Sequence, residues 1–119
     1  MLLRGGVVSE LYEEGSFPIG LVAEATFTST RAQFEPDDTL LLFTDGVTEA
    51  EDKNRNLLES ERLIDALTRH ADCSLDAIQQ GILGAVEKFA EGANQSDDIT
   101  LLLVRYIKPM SVRGQLALL

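Results

Sequence analysis

The sequence predicts an α+β fold, a mostly antiparallel sheet with two helices packed on one face. Two observations indicate this class. Short apolar segments bounded by turn residues, typical of strands, occupy the first third of the chain and recur near its end. Between them, over residues 60–89, the apolar residues change to helical spacing. Strands, then helices, then a strand is the order expected when helices cover one side of an antiparallel sheet.

Five segments are predicted to be strands from their apolar, aromatic and β-branched residues and from the turn residues at their ends. In chain order they are residues 2–3, 7–12, 24–34, 39–44 and 98–107. The first two flank Arg4-Gly5-Gly6, which predicts a tight turn between them. The fourth is short and mostly apolar, as expected of a buried strand.

Two helices are predicted in the middle of the chain. Ser60 is the expected N-cap of the first, whose apolar positions are Leu63, Ile64, Leu67 and Ala71. The second starts at Ser74 and is expected to bury Leu75, Ile78, Ile82, Val86 and Phe89. Gly81 and Gly84 lie inside this helix, where each costs about 1 kcal/mol relative to Ala. We expect them to permit close packing on the sheet.

Composition favours one soluble domain. The chain has 119 residues, 45% hydrophobic and 25% charged, and its 20 acidic against 10 basic residues give a net charge of −10. This balance argues against binding to nucleic acid or to an anionic membrane surface. The single cysteine, Cys73, excludes an internal disulfide and favours a cytoplasmic setting. We expect a domain over residues 1–107 and a tail over residues 108–119, with no membrane span and no signal peptide.

Acidic residues stand where two of the predicted strands meet their turns. Asp45 follows the strand at 39–44, and Asp97 precedes the strand at 98–107. If these strands pair antiparallel, both carboxylates lie at one edge of the sheet, where they repel unless a proton or a cation lies between them. Oxygen ligands suit Mg²⁺ and Mn²⁺, and Gly46 allows the backbone to approach a ligand closely. Asp-Gly after a strand is also a common turn, so spacing alone leaves a metal site and ordinary turn acids both open.

Two motifs resemble a known family. Thr44-Asp45-Gly46-Val47-Thr48-Glu49-Ala50 and Ser96-Asp97-Asp98-Ile99-Thr100 closely resemble the metal-dependent protein phosphatases of the PPM class. Within that class they resemble the bacterial branch typified by the stage II sporulation phosphatase E and the stress-response sigma regulators. Pro18-Ile19-Gly20-Leu21 and Glu61-Arg62-Leu63 resemble further segments of that branch. The resemblance spans residues 2–106 and implies the carboxyl-terminal half of a PPM β-sandwich.

The resemblance implies an activity and a set of site residues. The activity is hydrolysis of phosphoserine or phosphothreonine on a regulatory protein, such as an antagonist of an anti-sigma factor. It uses two Mn²⁺ or Mg²⁺ ions per complete domain to activate a bridging water. Asp45, Gly46 and Asp97 are implied as the metal-binding residues, with both aspartates on one ion. Asp98 and Glu49 are implied as supporting acids or ligands of a weak extra ion, with solvated loop acids as the alternative.

Departures from the family pattern define what to expect of this chain alone. It lacks the first-half Asp and Gly-His-Gly turn of the family, and its only histidine, His70, stands at a predicted helix end. We therefore expect weak Mn²⁺ binding, little or no phosphatase activity, and an uncovered sheet face that favours self-association. Asp37 and Glu59 stand where relatives commonly have Gly, which is expected to loosen both turns.

Two other functions stay open on the sequence alone. A non-catalytic interaction module with a retained phosphatase fold would also lack the first metal motif, although both retained aspartates argue against it. A calcium-binding module could use the acids of residues 45–52. The spacing of that stretch does not match the alternating ligands, the turn Gly and the terminal Glu that a calcium loop needs.

Overall fold

The computed structural model describes residues 1–11, 17–94 and 97–108. Within them, strands β1 (Leu2–Arg4), β2 (Val7–Ser9), β3 (Thr39–Phe43) and β4 (Leu101–Arg105) form one antiparallel sheet in the order β2-β1-β3-β4. Helices α1 (Asp45–Thr48), α2 (Glu59–Arg69) and α3 (Leu75–Phe89) lie between β3 and β4 in the chain. The predicted α+β class and antiparallel sheet are confirmed.

The first two strands form the predicted hairpin. Arg4 pairs with Val7, and Gly5 and Gly6 form the turn with φ values of 54° and 80°. A two-residue turn of this kind needs positive φ at both positions, which glycine adopts without a steric penalty. β2 ends at Ser9, short of the predicted end at Tyr12, which lies outside the described residues.

The last strand returns beside the strand that precedes the helices. β3 and β4 pair antiparallel along their whole length, from Thr39 opposite Arg105 to Phe43 opposite Leu101. This confirms both predicted strands, each somewhat shorter than predicted. The antiparallel register brings the carboxyl end of β3 to the amino end of β4.

An ion pair between the partly exposed Arg4 and the buried Asp38 ties the turn before β3 to the hairpin. The side chain of Asp38 is buried, and it accepts hydrogen bonds from Arg4 Nε at 2.9 Å and from Arg4 Nη2 at 2.6 Å. The backbone N–H of Glu35 also donates to Asp38, at 2.7 Å. The guanidinium of Arg4 is the main reason that the pKa of Asp38 lies below its ordinary value. The charge of Asp38 is therefore compensated where it is buried.

The hydrophobic core lies between the sheet and the helices. Side chains alternate along the strands, so that one face of the sheet is directed to the helices. The buried core contains residues of both the sheet and the helices: Leu3, Leu41, Leu63, Leu67, Ile78 and Ile82. On the opposite face, Leu42, Leu102 and Val104 stay 48–56% exposed. Within the described part of the chain, the helices thus cover one face of the sheet, as predicted, and leave the other open.

Three local predictions differ from the structure. Residues 24–34 do not form a strand, because high β-propensity does not hold a strand without a partner strand and a buried face. Leu58, not Ser60, occupies the N-cap position of α2, and Ser60 lies in its first turn. The predicted turn at Asp45-Gly46 is a single helical turn, α1, which is a third helix in the described part of the chain. The N-cap at Ser74 is confirmed, with its hydroxyl accepting from Ala77 N at 3.2 Å.

Among the residues that the structure describes, no helix is both long enough and apolar enough to cross a membrane. The tail predicted from residue 108 onward falls, from residue 109, outside the described residues.

Candidate metal centre

The end of β3 and the start of β4 form a junction at one edge of the sheet. Phe43 pairs with Leu101, and the backbone N–H of Thr44 donates to the carbonyl of Thr100 at 3.2 Å. The pairing therefore continues one residue beyond the ends of both strands. The two segments that contain the acids, residues 44–46 and 97–100, lie side by side here.

Asp45 is the first residue of α1 and its side chain is exposed. Thr44 before it is extended, with φ −91° and ψ 161°, and its carbonyl accepts from Val47 N at 3.0 Å to close the first helical turn. Val47 is fully buried and anchors this short helix in the core. The free backbone N–H groups at the start of a helix favour a carboxylate in its first turn.

Gly46 brings α1 into contact with the chain that leads into β4. A Cβ at this position would overlap the carbonyl oxygen of Asp98 and lie 2.9 Å from the carbonyl carbon of Asp98. It would also lie 3.4 Å from the carbonyl carbon of Asp97. No side chain fits here without a shift of backbone atoms. The sequence predicted a close approach at Gly46 to a ligand, and the structure has a close approach to the chain itself.

The other acids of the motifs have different surroundings. Asp97 is exposed, and its Oδ1 accepts from the backbone N–H of Asp98 at 2.7 Å. Asp98 also has an exposed side chain, while its carbonyl accepts a hydrogen bond from Thr44 Oγ1 at 2.9 Å. Glu49 is exposed directly after α1, and its backbone N–H donates to the carbonyl of Asp45 at 2.8 Å. Ser96 of the second motif lies outside the described residues.

The donor set at this edge fits a hard divalent ion only in part. Asp45 and Asp97 offer exposed carboxylate oxygens, the ligands that Mg²⁺ and Mn²⁺ prefer. Among the described residues, no three or more His, Cys, Asp or Glu side chains come together closely enough to hold a metal. The pair can thus supply part of a coordination sphere. Metal binding by Asp45, Gly46 and Asp97, and supporting roles for Asp98 and Glu49, stay predictions.

Cavity size does not by itself locate the site. An open depression of about 470 Å³ lies beside Asp45 and is also lined by Thr48 and Ser60. A larger one, of about 670 Å³, lies between α2 and α3, away from the acidic motifs, and is lined by residues that include Arg62 and Lys88. The carboxylates at the edge of the sheet therefore identify the candidate site better than the volume of a depression does.

Comparison with known proteins places the chain in a family. The family model of stage II sporulation protein E (SpoIIE) matches residues 1–107, which include every acid of the junction. The chain belongs to the SpoIIE family. The resemblance to PPM-type phosphatases that the two motifs indicate is thereby confirmed.

Two curated relatives extend this assignment. The chain is 32% identical over 89 residues, 72% of its length, to Protein IcfG of Synechocystis sp. (strain ATCC 27184 / PCC 6803 / Kazusa). It is 31% identical over 87 residues, 73% of its length, to Phosphoserine phosphatase RsbP of Bacillus subtilis (strain 168). These matches cover 13% of IcfG and 20% of RsbP. The chain is thus similar to a small part of each relative. No solved structure matches the chain significantly.

Sequence reasoning placed the acids but missed the contacts that join their segments. The family resemblance implies only that Thr44 and Thr100 shape the turns beside the acids. In the structure, the hydroxyl of Thr44 joins residues 98 and 100 across the junction. A hydroxyl residue directly before the Asp of the first motif was the available signal, but the identity of its partner depends on the pairing of β3 with β4.

Proposed function

We propose that the protein of which this SpoIIE-family chain is part hydrolyses phosphoserine or phosphothreonine on a regulatory protein, with Mn²⁺ or Mg²⁺ as cofactor. The substrate class proposed is a phosphorylated antagonist of an anti-sigma factor. Support comes from the family match over residues 1–107 and from the similarity to a relative named as a phosphoserine phosphatase. The observation on which the proposal rests is the junction, which brings the segments of Asp45 and Asp97 to one edge of the sheet.

In this proposal the chain contributes one part of a metal centre. Asp45 and Asp97 are ligands of one ion, and Gly46 keeps their two segments in contact. Asp98 and Glu49 add negative charge around them, which favours a divalent cation. When bound, a pair of such ions supplies a water of lowered pKa and a clamp for the phosphoryl oxygens. Two carboxylates complete neither coordination sphere, so we expect the isolated chain to bind Mn²⁺ weakly and to have little or no phosphatase activity.

The test is a calorimetric titration of Mn²⁺ into the 119-residue chain. We expect weak binding by the wild type and its loss in Asp45→Asn and Asp97→Asn, because each change removes a charged ligand but retains the size of the side chain. Asp72→Asn is the matched control, since Asp72 is an exposed acid in the turn between α2 and α3. It changes the net charge by the same amount and is expected to leave binding unchanged.

Two outcomes would contradict the proposal. Equal heats in the wild type, Asp45→Asn and Asp97→Asn would show that these two aspartates do not bind the metal. Rapid turnover of a phosphoserine peptide by the isolated chain would show that the two aspartates are not a partial site.

A further inference from the structure

The hydroxyl of Thr44 lies at the centre of the junction between the two acidic motifs. It donates a hydrogen bond to the carbonyl of Asp98 at 2.9 Å and accepts one from the backbone N–H of Thr100 at 3.0 Å. The backbone N–H of Thr44 donates to the carbonyl of Thr100 at 3.2 Å. One residue directly before Asp45 thus holds the segment directly after Asp97 by three hydrogen bonds.

The two side-chain bonds fix the segment that lies beyond the last pairing between the strands. β3 ends at Phe43 and β4 begins at Leu101, so the ladder itself does not fix residues 97–99. The side chain of Thr44 replaces the missing ladder bonds. It also does not cap α1, although it precedes that helix and is of the type that usually does. Its hydroxyl is directed to the neighbouring chain and not to its own helix.

We propose that Thr44 is a positioning residue for the metal centre: its hydroxyl holds the backbone at Asp98 and Thr100 so that Asp97 stays in reach of the ion that Asp45 binds. This inference rests on the proposed metal-binding function of the two aspartates. Gly46 acts with Thr44 from the same turn, because its lack of a Cβ lets the backbone of Asp98 approach α1. Groups that orient metal ligands without touching the metal typically change affinity about 10–100-fold when removed.

Two substitutions separate the hydroxyl from the shape of the side chain. Thr44→Val keeps the β-branched shape and suits the extended backbone at this position, with φ −91° and ψ 161°, but it removes the hydroxyl. Thr44→Ser keeps the hydroxyl and removes only a methyl group. A role in filling space predicts that Val is the milder change, and a role in hydrogen bonding predicts that Ser is.

The experiment is NMR of the labelled 119-residue chain with Mn²⁺ as the only added ligand, because paramagnetic broadening reports weak binding at individual residues. In the wild type we expect the amide signals of Asp45 and Asp97 to broaden together. Thr44→Val should raise the Mn²⁺ concentration needed for half-broadening about tenfold or more, and Thr44→Ser should restore it to near the wild-type value. Amide exchange of Thr100 without metal should be faster in Thr44→Val and near normal in Thr44→Ser.

The outcomes distinguish this inference from the function on which it rests. Joint broadening in the wild type that Thr44→Val leaves unchanged would overturn the positioning role and leave the metal centre standing. An absence of joint broadening in the wild type would overturn both. A reduction in thermal stability of Thr44→Val with unchanged Mn²⁺ dependence would also overturn the inference, because it would show that Thr44 supports the fold alone.

Discussion

At the scale of single residues, Asp37 and Glu59, the two positions at which the family resemblance leads us to expect Gly, have left-handed backbone. Asp37 has φ 73° and Glu59 has φ 62°. This backbone places an L side chain against its own chain and costs about 1–2 kcal/mol, less for Asp and Asn. Asp37 also donates its backbone N–H to the carbonyl of Tyr106 at 2.7 Å, which holds its turn against the end of β4. The turns are formed, and their backbone keeps the conformation that Gly adopts most readily.

We expect Glu59→Gly to raise the free energy of unfolding by about 1 kcal/mol, because glycine adopts a positive φ without the clash of a Cβ. The measurement is urea unfolding followed by circular dichroism. Glu61→Gly is the control, since Glu61 lies in the same helix with ordinary helical backbone. There the same change should lower the free energy of unfolding by about 1 kcal/mol. Equal effects of the two changes would show that the strain at Glu59 is not released.

At the scale of elements, α2 and α3 pack through a histidine set against a glycine. His70 is the C-cap residue of α2, and its Nδ1 lies 2.8 Å from the carbonyl of Ala66. A Cβ at Gly81 would lie 2.5 Å from the His70 ring, whereas a Cβ at Gly84 would meet nothing within 4 Å. The two glycines of α3 therefore differ in what surrounds them. Gly81 packs against the neighbouring helix and not the sheet, and nothing in the described structure requires Gly84.

We expect opposite effects from alanine at these two positions. Gly81→Ala should lower the free energy of unfolding by about 1–2 kcal/mol, because the imidazole or the helix must move to admit the methyl group. Gly84→Ala should raise it by up to about 1 kcal/mol, because it improves helix propensity and meets no neighbour. Thermal or urea unfolding of the two variants measures the difference, and each serves as the control for the other.

The double change His70→Ala with Gly81→Ala tests directly whether the His70 ring causes the loss of stability in Gly81→Ala. If the ring is the obstacle, the penalty of Gly81→Ala is smaller in the His70→Ala background. The same penalty in both backgrounds would place the obstacle elsewhere.

At the scale of the whole molecule, the described helices leave an apolar part of one face of the sheet uncovered. Leu42 and Leu102 pair across β3 and β4, and Val104 lies beside them, each about half exposed. These three side chains are uncharged while the chain has a net charge of −10, so this part of the face is where two copies can approach with least repulsion. An exposed apolar surface of this kind favours association. For the isolated chain, we expect the occupant of this face to be a second copy.

We expect the wild-type chain to self-associate with rising concentration, measured by sedimentation equilibrium. Leu42→Thr combined with Leu102→Thr retains β-propensity and reduces the apolar area that the two copies bury. It should raise the dissociation constant about tenfold or more, because a loss of about 1.4 kcal/mol of binding free energy is enough for a tenfold change. Leu57→Thr is the control, because Leu57 is 42% exposed in the loop before α2. Added salt should strengthen association by screening the repulsion between acidic copies. A monomer at all concentrations, or weaker association in salt, would contradict the expectation.

The parts of the fold that the sequence determined are those set by local chemistry. Gly5 and Gly6 fix the turn of the hairpin, because only glycine adopts two positive φ values freely. Ser74 fixes the start of α3, because its hydroxyl satisfies a free backbone N–H. The residues alone also predicted the acids at the strand ends and the family to which the chain belongs.

Tertiary structure decided what depends on a partner distant in the chain. Residues 24–34 have the composition of a strand but pair with none in the described structure, because strand formation depends on neighbours more than on composition. The hydroxyl of Thr44 could have capped its own helix, yet it bonds the segment that enters β4, because the register of β3 and β4 places that backbone within reach. The sequence thus determined which residues stand at the candidate site, and only the pairing of distant strands decided what holds them together.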